Sequence, residues 1–483
     1  MTRLFYAAVL AFCSLLAACG GGSSGGVAGL SPAPAQVPVQ TNAAGYPGEP
    51  SSCSVADQRR WLNDYMADKY FWSANLRTPN AAATSLDAYF KSLLFLPIDR
   101  YSSSQEATQF TQFFTEGTRT GFGYSLAFAD ASQTTLLVRS VETAGPAAAA
   151  GLRRGDIVLS INGLGPAQIA NGELSSVNTV GVTRTFSLAD ASDTSVVPGV
   201  PGASRLLTLT SRNFALTPVV TDKIFTSSSG AKVGYLAYQE FTPSSVGALG
   251  EVFTRFRAAG VTELIVDLRY NGGGSVVVAR ALASLIGGAT LDGKVFAKLR
   301  FNAKNAADSD FDYNFTASTS ALPSPPLDGL SRVFFITSPN TASASELVIN
   351  ALGPFKKVIN IGATTFGKPY GFLPRQACNT VYSAINFETF NAADFGRYNN
   401  GLPATCQVAD DLSKALGDPT ERRTAAALGF IQTGACPVVT ANLQANSQSG
   451  QPYSAQAATD SVAVKRWQEP AFGEVTAPAM VLD

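Results

Sequence analysis

The sequence predicts a multidomain α/β protein, and three patterns carry that prediction. From about Val233 onward, short apolar runs such as ELIVDL at 263–268 and RVFFIT at 332–337 alternate with helix-length segments. That order is expected of parallel strands joined by right-handed crossovers. Residues 117–213 are instead built from shorter strand-like pieces separated by glycine turns. Residues 53–116 place Trp61, Leu62, Tyr65, Met66 and Lys69-Tyr70 at helical spacing, with a second such segment at 85–94, and so predict a small helical N-terminal domain. The 483 residues leave room for about two to four domains.

Composition narrows the function. There are 35 Lys+Arg against 35 Asp+Glu, and charged residues make up 14% of the chain, so the basic footprint of a nucleic-acid binder is absent. A hydrophobic share of 46% supports real cores. Histidine is missing altogether. That excludes Ser-His-Asp and Cys-His catalysis and every His-ligated metal centre. Any enzymatic base must be Lys, Asp, Glu or Tyr, or a chain terminus. No metal or cofactor is expected.

The N-terminus reads MTRLFYAAVLAFCSLLAAC. Arg3 precedes an apolar run at 4–16 that is too short to span a bilayer as a helix. Leu16-Ala17-Ala18-Cys19 resembles the lipobox of bacterial lipoproteins, which implies a signal peptide at 1–18 and a lipid on Cys19. A Gly/Ser/Pro-rich linker follows at 19–52. The expected location is the bacterial cell envelope, anchored through that lipid, on the outer membrane facing the periplasm or on the cell surface. In such an oxidising compartment Cys53, Cys378, Cys406 and Cys436 are expected to form two disulfides, with Cys378–Cys406 and Cys53–Cys436 the chosen pairing of three.

Residues 138–163, VRSVETAGPAAAAGLRRGDIVLSING, place Pro146 at the start of a short helix and Gly151 at its end. A strand and an Asn-Gly turn follow. Upstream stand Gly121, Phe122, Gly123 and Tyr124. Together these stretches resemble a PDZ domain over 117–213. The resemblance implies a loop at 121–124 that captures a peptide's terminal carboxylate, and a neighbouring strand that accepts the peptide by β-addition. Residues 164–204 read as a long insertion, with a strand at 205–210 closing the module.

Three strand ends in the region 214–440 collect unusual residues. DLRYNGGG at 267–274 leaves backbone N–H groups approachable without matching a dinucleotide fingerprint. TASASE at 341–346 opens a helix with a capping box, Ser343 to Glu346, at an electropositive helix N-terminus. TFGKPY at 365–370 frames Lys368 with apolar neighbours. Taken in order after the PDZ block, these stretches resemble the C-terminal processing proteases, the S41-type serine peptidases with a Ser-Lys dyad, over about residues 55–435. The resemblance implies a crotonase/ClpP-like serine-peptidase core, Ser343 as nucleophile and Lys368 as general base. It also implies the N–H groups of Ala344 and Gly273 as oxyanion donors, and protein or peptide substrates held by a free C-terminus. The family often carries Gln four residues after the lysine. Phe372 stands there, with Gln376 and Tyr370 as candidate substitutes. The expected activity is a lipid-anchored endopeptidase. A non-catalytic peptide- or ligand-binding lipoprotein is the alternative, and a crotonase-type acyl-CoA enzyme conflicts with export. The tail at 441–483 is Gln/Ser/Ala-rich.

The anchoring expectation has a direct test. Cys19→Ser should move the protein from the membrane fraction to the soluble fraction, and a variant that stays on salt-washed membranes would remove the lipoprotein reading.

Overall fold

The four strands expected at 233–237, 263–268, 332–337 and 358–361 are joined by two that were not, Val219–Thr226 and Cys406–Gln407, in one six-stranded sheet ordered Cys406–Gln407, Lys357–Gly362, Arg332–Thr337, Val261–Asp267, Lys232–Tyr238 and Val219–Thr226. All neighbours run parallel except the last pair. The coordinates are a computed structural model, which describes residues 48–129, 133–189, 204–318 and 320–437 and the backbone of Met480–Val481. Cys19, the signal segment and most of the linker and tail lie outside the described residues. Among the described residues no helix is long and apolar enough to cross a membrane.

Both faces of this sheet are buried, and for that reason its strands read as nearly continuous apolar runs. Along Lys232–Tyr238, Val233, Tyr235 and Ala237 face one core with Ile265, Phe334 and Ile359, closed by Ala426, Ala427 and Phe430 of helix Arg422–Thr433. Leu236 and Tyr238 face the opposite core with Val266, Phe335 and helices Val246–Ala258, Val276–Gly287 and Ala344–Leu352. Truncating a ring such as Phe335, fully buried here, costs roughly 3–5 kcal/mol in a core of this kind. The parallel strands place the ends of Val261–Asp267, Arg332–Thr337 and Lys357–Gly362 along one edge. The loops bearing DLRYNGGG, TASASE and FGKP therefore converge, as ligand-handling loops do at the carboxyl ends of open α/β sheets.

The β-rich module is a five-stranded antiparallel sheet ordered Tyr124–Phe128, Leu136–Val141, Ile157–Ile161, Thr183–Ala189 and Ser204–Thr210. The expected insertion at 164–204 needs correction. Thr183–Ala189 is an inner strand of this sheet, with Arg184, Phe186 and Leu188 pointing into the module. Arg184 obscured the period-two pattern. It sits at an inward position because its guanidinium lies 4.6 Å from the Phe122 ring centre and donates to the hydroxyl of Tyr124.

Helices Val55–Lys69 and Leu86–Leu93 are capped by Ser54 and Ser85, which accept from the N–H groups of Asp57 and Ala88. Their apolar faces do not close on each other alone. Trp61, Tyr65 and Phe90 share a cluster with Tyr370, Phe372 and Tyr382, and strand Ser103–Glu106 pairs with Thr380–Ser383. A segment of this length buries too little surface to stand alone, so it borrows its core from the chain around Lys368.

The disulfides are Cys53–Cys378 and Cys406–Cys436, which corrects both expected pairs. Cys378 lies in the turn between Arg375–Ala377 and Thr380–Ser383, in the sheet that Ser103–Glu106 joins, and so meets the start of the first helix. Helix Arg422–Thr433 carries Cys436 back to the sheet edge where Cys406 lies. Neither approach is visible in cysteine spacing. A non-reducing peptide map of the purified protein should give the linked pairs 53–378 and 406–436. Recovery of a 378–406 peptide would refute this arrangement.

Candidate active site

Glu346 sits at the centre of the converging loops, fully buried, in the first turn of helix Ala344–Leu352. One carboxylate oxygen accepts from the backbone N–H groups of Ser343 and Lys368, each at 2.8 Å. The other accepts from Thr365 Oγ1 at 2.5 Å and from the N–H of Gly367 at 2.7 Å. Burial pushes this carboxyl above its ordinary range while the hydrogen bonds pull the other way. Four incoming donors leave no oxygen free to carry a proton, so the arrangement is that of the ionised group. A single carboxylate thus ties the Ser343 turn to the lysine loop. A further bond joins them, from the Phe366 N–H to the Thr341 carbonyl at 2.9 Å.

Ser343 has a backbone φ of +59°. A non-glycine residue in that region costs of order 1–3 kcal/mol and persists only where its surroundings enforce it. Glu346 does so by holding the Ser343 N–H. The capping box is therefore half made: Glu346 reaches back, but the buried Ser343 Oγ has no hydrogen-bond partner. A side chain that served as a cap would be engaged. Ser345, two residues on, is engaged, donating to the Asn271 carbonyl at 3.1 Å.

Lys368 is fully buried. Desolvation lowers its ammonium from the ordinary lysine value to about 7, with the nearby carboxylates of Asp99 and Glu346 opposing the fall. Its Nζ lies 4.4 Å from the Phe372 ring centre and 5.8 Å from that of Tyr101. Phe372 therefore fills the position of the absent glutamine as an apolar wall. Gln376 is no substitute, since its amide donates to the Cys378 carbonyl. Tyr370 packs instead against Trp72 and Tyr101.

The glycine loop is held by Asn271, which accepts from the Ala342 N–H through its carbonyl and donates through Nδ2 to the Tyr238 carbonyl. The side-chain oxygen of Asn271 also accepts from the Gly273 N–H at 2.9 Å. The expected second oxyanion donor is thus occupied, because the loop folds back on its own side chain. Ala344, the first residue of its helix, presents an N–H that the helix itself cannot satisfy. Gly274 has φ +139°, and a Cβ there would lie 2.3 Å from the Phe241 carbonyl oxygen. Only glycine fits.

At Gly121, Phe122, Gly123 and Tyr124, the Phe122 and Gly123 carbonyls accept from the N–H groups of Ala147 and Glu142. The following strand, Tyr124–Phe128, is an edge of its sheet, which is where an added strand could pair.

Two features escaped the sequence. The module's Arg154 donates to the Tyr270 hydroxyl and to Asp410. Arg269, fully buried, pairs with Asp267, Asp410 and Glu421. Nothing local marks Asp410 or Glu421 as its partners. The second is the cover over Lys368 from the segment Asp99-Arg100-Tyr101, far away in sequence.

Comparison with known proteins gives the same order of parts. Sequence profiles match at residues 57–103 for the peptidase S41 N-terminal domain, 137–164 for a PDZ domain and 232–388 for peptidase family S41. The C-terminal processing peptidase of Tetradesmus obliquus chloroplasts is 26% identical over 272 residues, 53% of this chain and 52% of that protein. Carboxyl-terminal-processing peptidase 2 of Arabidopsis thaliana chloroplasts is 28% identical over 271 residues, 53% and 46% of the two chains. The match spans about half the length of these relatives. The crystal structure of a putative S41 protease from Bacteroides fragilis is 27% identical with a TM-score of 0.64, covering 77% of this chain and 97% of that one.

Glu346→Ala should strand three backbone N–H groups and a hydroxyl in the interior, at roughly 1–3 kcal/mol each. The expected result is a large drop in thermal stability or failure to fold, with Glu346→Gln intermediate. A wild-type melting temperature for Glu346→Ala would show that the carboxylate does not hold the site.

Proposed function

Because this chain belongs to peptidase family S41, we propose that it is a serine endopeptidase in which Ser343 is the nucleophile and Lys368 the general base. The observation that carries the proposal is the pairing of a strained, buried serine hydroxyl lacking a hydrogen-bond partner with a buried lysine whose ammonium is lowered to about 7, both hung from one Glu346 oxygen. A solvated lysine is neutral in only about one molecule in 2,500 at pH 7, a handicap of roughly 4–5 kcal/mol. Burial against Phe372 removes most of that handicap before substrate arrives.

Neutral Lys368 takes the proton from Ser343 Oγ as the oxygen attacks a peptide carbonyl. The carbonyl oxygen gains negative charge beside the Ala344 N–H, and Gly273 becomes a second donor once Asn271 releases it. Collapse of the adduct breaks the C–N bond, and the lysine's proton passes to the departing amine. Water then attacks the acyl-serine ester, giving a proton to Lys368, and the lysine passes that proton to Ser343 Oγ as the ester C–O bond breaks and the acid leaves. The edge strand Tyr124–Phe128 of the PDZ module suits the capture of an extended substrate end. Within this reading the substrates are proteins or peptides, presented through a free C-terminus. A lipid on Cys19 would hold the enzyme to an envelope membrane. A burial this costly for a charged side chain favours catalysis over the non-catalytic alternative, which has no use for a neutral lysine.

Treatment with a fluorophosphonate probe should label Ser343 in the wild type. Ser343→Ala and Lys368→Ala should each lower turnover by about 10³-fold or more without unfolding, and Ser345→Ala far less. The base acts when neutral, so activity is lost as pH falls through the folded-state value of about 7. At pH 6 the single-turnover acylation rate should be about a tenth of its plateau, and it should level off above about pH 8. A profile flat from pH 6 to 9, with chemistry rate-limiting, would contradict a titrating lysine.

A further inference from the structure

The segment Asp99-Arg100-Tyr101 belongs to the N-terminal part of the chain, yet it lies against the lysine loop. The Tyr101 hydroxyl donates to the Gly367 carbonyl at 2.6 Å, and its ring makes edge contacts with Phe366 and packs at an angle on Tyr370. The Arg100 guanidinium rests over the Phe366 and Tyr101 rings and donates to the Asn399 carbonyl at 2.9 Å. Asp99 is 1% exposed. One of its oxygens accepts from the N–H groups of Tyr101 and Ser102, both at 2.9 Å. The other accepts from the hydroxyls of Tyr70 at 2.7 Å and Ser102 at 2.6 Å.

We propose that Asp99 and Tyr101 are positioning residues for Lys368: Tyr101 fixes the backbone that carries the lysine, and Asp99 sets a buried negative charge close to the lysine head group. The inference rests on Lys368 acting as the base. The groups acting on that head group are Asp99 and Tyr101 from the N-terminal segment, Glu346 from the nucleophile helix, and Phe372 from the lysine's own loop. Glu346 is consumed by four donors from the site backbone and Thr365, so its position serves the nucleophile turn. The hydrogen bonds described for Asp99 come from its own segment and from Tyr70, so its place does not depend on Ser343.

The sign of the effect follows from charge. A carboxylate near an ammonium favours the protonated lysine, so removing the charge lowers the lysine pKa. In Asp99→Asn the acylation limb should move to lower pH by about half a unit to one unit, raising the acylation rate near pH 6 about three- to fivefold relative to its plateau. Tyr101→Phe removes the bond to Gly367 while keeping the ring. It should lower the plateau kcat several-fold and leave the limb in place. Were Asp99 purely structural, Asp99→Asn would change stability or the plateau and move no limb. Unshifted limbs in both, or a limb moved to higher pH in Asp99→Asn, overturn the proposal.

A second measurement does not need turnover. With lysine labelled at Cε by carbon-13, the Lys368 signal can be titrated by NMR in the Ser343→Ala protein with and without Asp99→Asn, and identified by its loss in Lys368→Ala. A lower pKa in the Asp99→Asn background supports the positioning role even if no peptide is cleaved, in which case the peptidase reading fails alone. An unchanged pKa in a protein that does cleave peptides removes the positioning role alone. Should Asp99→Asn fold poorly, Asp99→Glu replaces it. That variant keeps the charge and should restore the wild-type limb, and a limb displaced as far as a neutral side chain would displace it counts against the proposal.

Discussion

The Glu346 carboxylate is the constraint on which the site depends. It is buried without a salt-bridge partner and spends all four acceptor directions on the site's own chain. Parallel strands alone would bring the nucleophile turn and the lysine loop to the same sheet edge. They would not hold Ser343 at a positive φ or fix the loop to within a hydrogen bond of it. The cost of the strained serine and of the buried carboxylate is offset by bonds that neither loop could make alone. Removing either loop leaves the carboxylate with unmet acceptors in a dry interior, so each part enforces the other.

Lys368 adds a second cost. Holding a lysine near 7 rather than near 10.5 means that between those values the unfolded chain binds a proton the folded chain refuses. Stability from this group therefore rises with pH across that window, and at neutral pH its burial opposes folding by roughly 4–5 kcal/mol. The expense is met by the surrounding aromatic cluster, to which Phe372, Tyr370, Tyr101, Trp61 and Phe90 all contribute. The N-terminal helices are thus part of the packing that keeps the lysine dry.

Much of this was legible in the sequence, for reasons that can be named. Strands buried on both faces leave unbroken apolar runs, so the four inner strands could be read, while the outer strands Val219–Thr226 and Cys406–Gln407 carry no such run and were missed. Motifs at successive ends of parallel strands had to meet, so DLRYNGGG, TASASE and FGKP pointed to one site before any coordinates. The strand Thr183–Ala189 was hidden by one inward arginine that finds an aromatic face and a tyrosine hydroxyl. Phe372 was legible both as a departure and as an apolar neighbour of the lysine, and the fold adds that its ring stands 4.4 Å from Nζ. The cover from Tyr101 was unreadable for a different reason: its partner Gly367 lies 266 residues away, and local spacing carries no trace of such a contact. The disulfides failed in the same way.

The Cys53–Cys378 bridge closes a covalent ring of 325 residues' separation that contains the PDZ module, the nucleophile and the lysine. A single backbone cut anywhere inside that ring opens a loop without dividing the molecule. Under oxidising conditions such a nicked enzyme keeps both halves of its active site on one covalent body, and only the meeting of a cut with a reductant sets the serine and the lysine adrift when the cut falls between them. Wherever the bridge stays oxidised, it turns a chain break from a loss into a tolerated injury.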